Sequence, residues 1–96
     1  MTTLSTHVLD TAAGAPAQDV PVVLDGGAAE GRTDADGRFR FDVDLDPGMH
    51  RLTFDTGTRS AFYPEVTVTF SIPADRPHVH VPLLLGPYSY STYLGS

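Results

Sequence analysis

Arg38-Phe39-Arg40-Phe41-Asp42-Val43-Asp44-Leu45 decides the fold. Phe39, Phe41, Val43 and Leu45 fall on one face, and Arg38, Arg40, Asp42 and Asp44 on the other. Successive side chains of a strand point to opposite faces, so a period of two marks a strand with one side buried. Thr33-Asp34-Ala35-Asp36-Gly37 precedes it and reads as a tight turn. There, Asp can bond its own backbone and Gly supplies a positive φ. Asp46-Pro47-Gly48 closes the strand with a second turn.

The same alternation extends in both directions. Towards the N-terminus, Leu4, Thr6 and Val8 share one face, and Ser5, His7 and Leu9 the other. Asp10 to Asp19 reads as a loop, followed by Val20, Val22 and Leu24 on an inward face. Gly26 to Gly31 is a turn, with a short edge strand near Glu30–Thr33. Towards the C-terminus, Leu52 and Phe54 mark one strand, and Val66, Val68, Phe70 and Ile72 another. Thr56–Tyr63 is irregular and too short for more than a turn of helix. Val79, Val81, Leu83 and Leu85 then alternate with His78, His80, Pro82 and Leu84, and Tyr88–Tyr93 forms a last strand.

The pattern predicts an all-β chain of seven or eight short strands, a β-sandwich with little or no helix. With 96 residues, positions 1–96 form a single domain. A sandwich of this size is marginal alone. Oligomerisation through the last two strands would help, because their outer face carries Pro82, Leu84, Ser91 and Tyr93.

Composition narrows the function. Twelve acids face six bases, a net charge of −6, and all six bases are arginine. Such a chain is repelled by nucleic acid and by anionic membranes, so neither is an expected partner. No apolar run approaches the roughly 20 residues of a membrane helix. The N-terminus has no signal-peptide pattern and there is no cysteine, so a cytoplasmic location is expected. Without lysine or cysteine, Schiff-base and thiol chemistry are excluded.

Histidine is then the group best able to move protons near neutral pH. His7 and His80 lie on outward strand faces, and His50 follows a turn and reads as solvated. His78 and His80 share a face and, with His7, match the three imidazoles of a zinc site in number. Spacing alone gives no reason to bring His7 to them, so no metal is assigned. Asp42, Asp44 and Asp46 fail the calcium-loop pattern, since Gly48 falls one place late and Thr53 stands where the last ligand belongs.

Both ends of the chain carry a family signature. Leu4-Ser5-Thr6-His7-Val8-Leu9-Asp10-Thr11 followed by Gly14-Ala15-Pro16-Ala17 resembles the opening of the transthyretin-related family. His78-Val79-His80-Val81-Pro82-Leu83-Leu84-Leu85 and Pro87-Tyr88-Ser89-Tyr90-Ser91-Thr92-Tyr93 resemble its ending. Thr33–Arg38 and Phe62-Tyr63-Pro64-Glu65-Val66 match segments between them. The loops after Leu24 and Asp55 look shorter than the family's usual ones.

The resemblance implies a transthyretin-like Greek-key sandwich of two antiparallel sheets, assembled as a homotetramer. It implies a 5-hydroxyisourate hydrolase of urate degradation, acting on a small purine-derived substrate without a cofactor. A non-catalytic transthyretin-like carrier and a structural β-sandwich module are the alternatives. The family's catalytic residues fall on His7, Arg38 and His80, and its substrate contacts on His7, Arg38, Tyr93 and Ser96. His7 is the expected general base, with His80 orienting water or relaying the proton. Leu94 departs from the pattern, standing where the family has arginine. Strand parity predicts that it points away from Tyr93.

Overall fold

A computed structural model describes residues 2–96. Among the described residues nine strands form two sheets, and none of these residues is helical. The first sheet is built on β1 (Thr2–Asp10) and β8 (His78–Leu85). β9 (Tyr90–Thr92) flanks β8, while β5 (Arg38–Leu45) and the two-residue β2 (Ala15–Pro16) share the far side of β1. The second sheet runs β4 (Ala29–Arg32), β3 (Pro21–Leu24), β6 (Gly48–Asp55) and β7 (Glu65–Ile72).

The alternating apolar residues form the core between the sheets. Leu4, Val8, Phe41, Leu83 and Leu85 from the first sheet meet Val22, Leu24, Leu52, Phe54 and Val66 from the second, all nearly or fully buried. Burial of each such side chain stabilises the fold by about 1.5–3 kcal/mol relative to leaving it exposed. Thr6 lies on the core face but is not orphaned, since its hydroxyl donates to the Val81 carbonyl at 2.6 Å. A buried hydroxyl needs such a partner.

One pairing breaks the antiparallel rule, because β1 and β8 run parallel. Between them the chain builds the whole second sheet, so it can return in either direction. Their register sets Thr3 beside His78, Ser5 beside His80 and His7 beside Pro82. β5 lies antiparallel on the other side of β1, with Arg40 opposite Ser5 and Arg38 opposite His7.

The turn before β5 fixes that second register. Asp34 Oδ1 accepts from the backbone N–H groups of Asp36 and Arg38 at 2.9 and 3.0 Å. Gly37 has φ +75°, and a Cβ there would come within 2.4 Å of the Val8 carbonyl oxygen. Only glycine permits this approach, in which Val8 N–H donates to the Gly37 carbonyl at 2.7 Å.

Several expectations are refined. The predicted edge strand falls on Ala29–Arg32, one residue early, and the final strand covers only Tyr90–Thr92. Pro82 is already buried within the chain, leaving Leu84 half-buried beside Leu9 on the outer face. His50 is not solvated. Its side chain is only 13% exposed, with Nδ1 2.7 Å from Asp25 Oδ2 and Nε2 2.7 Å from the Asp46 carbonyl. Burial works against its charge, but these acceptors outweigh burial and raise its pKa. The tight turn 25–28 brings Asp25 across to β6, a contact that strand periodicity does not reveal.

The segment 56–63 holds one helix-like turn, Ser60 N–H to the Thr56 carbonyl at 2.9 Å. Ser60 Oγ donates to the Pro87 carbonyl at 2.9 Å, and Arg59 pairs with Asp10 at 3.1 Å. The short loop is thereby fastened to the end of β1 and to the β8–β9 turn.

Candidate active site

The outward face of the first sheet is a grid whose columns are strands and whose rows are registers. One row reads Arg38, His7, Pro82, and the next Arg40, Ser5, His80. Beyond them Thr3 and His78 start a third. Directly opposed side chains on one face lie about 4.5–5.5 Å apart at Cβ. Two arginines and three histidines distant in sequence therefore occupy one surface.

Ser5, Thr6, Asp34, Arg38, Phe39, Arg40 and His80 line a depression of about 250 Å³ on this face. The Arg38 guanidinium is exposed and, among the described residues, makes no ion pair. The Asp34 carboxylate accepts turn N–H groups through Oδ1, so Arg38 keeps its donors for a ligand. Arginine holds a planar carbonyl or oxyanion with two parallel N–H bonds, which lysine does not.

The histidines are held by specific partners. His7 Nε2 lies 2.8 Å from the Asp36 carbonyl oxygen. A carbonyl only accepts, so Nε2 carries the hydrogen and donates. The Ser5 hydroxyl sits between the other two, 2.8 Å from His78 Nε2 and 2.8 Å from His80 Nδ1. Thr3 Oγ1 closes the line at 2.6 Å from His78 Nδ1. Ser5 thus engages two of the nitrogens that a metal shared by His78 and His80 would need.

Burial pushes the His80 imidazole below its ordinary pKa, and the nearby charges of Arg38, His7 and His78 push it further. His78 is lowered by burial and then by Arg40. Both shifts favour the neutral ring, the form able to accept a proton.

The C-terminal residues close the edge beside His80. Gly95 N–H donates to the His80 carbonyl at 2.8 Å. A Cβ at Gly95 would lie 2.5 Å from His80 Cδ2, so glycine lets the chain end pack directly on the imidazole. Ser96 follows, exposed, as the last residue. Leu94 faces a different space, an apolar cleft of about 240 Å³ lined also by Phe70, Val79 and Val81. Val79 and Val81 belong to the core face of β8, so Leu94 turns to the side opposite the histidines. Tyr93, 57% exposed, lines the same cleft as Leu94, so the two do not diverge as strand parity predicts, and the expected substrate contact Tyr93 does not line the depression beside His80.

The structure therefore brings His7, Arg38 and His80 onto one face, with the Gly95–Ser96 end beside them. The sequence shows no sign of a role for Ser5 or Thr3 and suggests only metal binding for His78, whereas Gly95 lies within the C-terminal segment that the family resemblance assigns to the site. Parity places Ser5 and His7 on one face, and His78 and His80 on one face. The parallel register that merges the two pairs is a tertiary fact.

The HIUase/Transthyretin family model matches residues 4–95. A 5-hydroxyisourate hydrolase of Caulobacter vibrioides is 42% identical over 115 residues, covering 100% of both proteins. The solved 5-hydroxyisourate hydrolase of Klebsiella pneumoniae superposes with a TM-score of 0.88 at 36% identity, covering 100% of both chains. Sea bream transthyretin, solved with thyroxine, gives 0.84 at 29% identity, covering 96% of this chain and 93% of its own. With its fold and nearly all of its length matched, the chain belongs to the HIUase/Transthyretin family.

Proposed function

We infer that this chain hydrolyses 5-hydroxyisourate, opening its six-membered ring to 2-oxo-4-hydroxy-4-carboxy-5-ureidoimidazoline in urate degradation. The observation that carries this reading is the meeting of His7, Arg38 and His80 on one sheet face, in a chain matched end to end by hydrolases of that name.

The reaction needs a water made nucleophilic, a carbonyl oxygen stabilised as it becomes an anion, and a proton for the departing ring nitrogen. Arg38 supplies the second requirement. Its free guanidinium adjoins His7 in register and lines the depression with His80. Removing one donor to such an oxyanion costs about 10²–10³-fold in rate. The imidazoles supply proton transfer, typically worth about 10²–10⁴-fold. Ser96, exposed next to Gly95 beside His80, holds a polar edge of the ring at the open end, whereas Tyr93 lies in the neighbouring cleft. No step calls for a cofactor.

We also propose that copies of the chain assemble into a homotetramer. β7 and β9 each end a sheet and pair on one side only. Leu9 and the half-buried Leu84 make an apolar pair on the outer face. A second copy covering that face would complete the walls around the histidines.

Three outcomes are expected. Leu84→Glu should dissociate the assembly in light scattering at micromolar concentration, because a buried unpaired carboxylate is costly. A monomeric mass for the unsubstituted protein would refute assembly. Leu94→Arg should leave turnover close to that of the unsubstituted chain, since Leu94 lies on the core side of β8. A rise of about 10²-fold would place that side chain in the site. Finally, urate and urate oxidase generate hydroxyisourate, whose decay is followed by ultraviolet absorbance. The protein should accelerate it. His7→Ala and His80→Ala should each remove most of the acceleration, and the double variant little more, since groups of one site are not additive. Unaltered decay with the unsubstituted protein would refute the hydrolase reading and leave a carrier or a structural module.

A further inference from the structure

A line of hydrogen bonds leads away from His80 along the β1–β8 seam. His80 Nδ1 meets Ser5 Oγ at 2.8 Å, and Ser5 Oγ meets His78 Nε2 at 2.8 Å. His78 Nδ1 meets Thr3 Oγ1 at 2.6 Å. Beyond Thr3 lie the Pro77 carbonyl and Arg40 Nη2, each 3.4 Å from Thr3 Oγ1. Two hydroxyls and two imidazoles thus form one chain with a fixed group at its far end.

Counting hydrogens gives this chain a direction. A serine hydroxyl has one hydrogen, so between two imidazole nitrogens it donates to one and accepts from the other. The tautomers of His78 and His80 are therefore coupled. Arg40 only donates, and the Pro77 carbonyl only accepts. Thr3 satisfies both by donating to Pro77 and accepting from Arg40. Its remaining lone pair accepts a hydrogen from His78 Nδ1. His78 Nε2 then accepts from Ser5, and Ser5 accepts from His80 Nδ1–H. The end result is a neutral His80 with its lone pair on Nε2. The reverse direction gives up the long Thr3 Oγ1 contact to the Pro77 carbonyl, which keeps the Thr3 backbone N–H at 3.0 Å, and puts a hydrogen on His80 Nε2.

We propose that Ser5 and His78 are positioning residues for the hydrolysis, holding His80 in the Nδ1–H tautomer so that Nε2 takes the proton of the attacking water. This rests on the hydrolase reading above. The base is then His80 rather than the expected His7, whose Nε2–H donates to the Asp36 carbonyl and leaves only Nδ1 able to accept a proton. In the step, the water proton passes to His80 Nε2 as the water oxygen bonds to the ring carbonyl carbon. The imidazolium keeps its Nδ1–H on Ser5 and returns the Nε2 proton to the ring nitrogen as the C–N bond breaks. Gly95 against the ring edge limits its rotation. The groups facing His80 are Arg38 and Arg40 from β5, His7 and Ser5 from β1, and His78 from its own strand.

Two measurements on the full chain test this. Long-range proton–nitrogen NMR of the unsubstituted protein reads the His80 tautomer without reference to activity. A hydrogen on Nδ1 is expected near neutral pH, and a hydrogen on Nε2 overturns the proposal. Kinetics of hydroxyisourate decay provide the second. Ser5→Ala should lower kcat by about 10- to 100-fold with little change in KM, the scale on which loss of a group orienting a histidine is felt. Ser5→Thr, which keeps the hydroxyl, and His78→Gln, whose amide oxygen can accept from Ser5, should retain most of kcat. His78→Leu should behave like Ser5→Ala. Full kcat in a folded Ser5→Ala variant, or a fall expressed only in KM, overturns the positioning role. If the unsubstituted protein does not hydrolyse the substrate, the functional reading fails while the tautomer measurement still reports on the hydrogen-bond chain.

Discussion

The parallel seam between β1 and β8 is the constraint on which the site depends. In a strand pair a slip of one residue moves every side chain to the other face. Here the seam holds because both strands bury alternate residues in the same core, Leu4, Thr6 and Val8 beside Val79, Val81 and Leu83. The core face sets the register, and the register places the outward residues. Ser5 therefore stands beside His80, and Thr3 beside His78, as a consequence of packing on the opposite side of the sheet.

The electrostatics follow from the same grid. The chain as a whole is acidic, yet its outward face beside the seam carries Arg38 and Arg40. An arginine stabilises charge that develops on substrate oxygen, and it also disfavours a second positive charge on a neighbouring imidazole. His80 experiences burial first and then the charge of Arg38, and both lower its pKa and favour the neutral ring. One arrangement thereby supplies a cationic group and favours the unprotonated form of the imidazole beside it. His50, in the other sheet, shows the opposite balance. There an aspartate carboxylate and a backbone carbonyl outweigh burial and favour the cation.

Much of this was legible in the sequence. Alternation at Phe39–Leu45 and Val79–Leu85 identified the strands and the buried residues because one face of each strand is wetted and the other is not. Outward parity and family resemblance pointed to His7, Arg38 and His80, which the structure places on one sheet face. The hydrogen-bond chain could not be read in advance. Ser5 and His78 are 73 positions apart, and Ser5 Oγ reaches His78 Nε2 only through the parallel register. The contact between Gly95 and His80 depends on the chain end continuing beside β8 past Pro82, which local pattern does not specify. His50 looked solvated because its partner Asp25 sits in a turn 25 positions away.

The central claim is that a neutral His80, kept so by burial and by Arg38, accepts the proton in catalysis. The pH dependence of kcat/KM for hydroxyisourate tests it most directly, since that profile reports the ionisation of the free enzyme. A base whose pKa lies below the ordinary histidine value of 6.5 keeps its lone pair down to a more acidic pH. The account predicts an acid limb with its midpoint below 6.5, and that limb should lose its amplitude in His80→Ala. A midpoint at or above 6.5, or a limb that survives unchanged in His80→Ala, would contradict it.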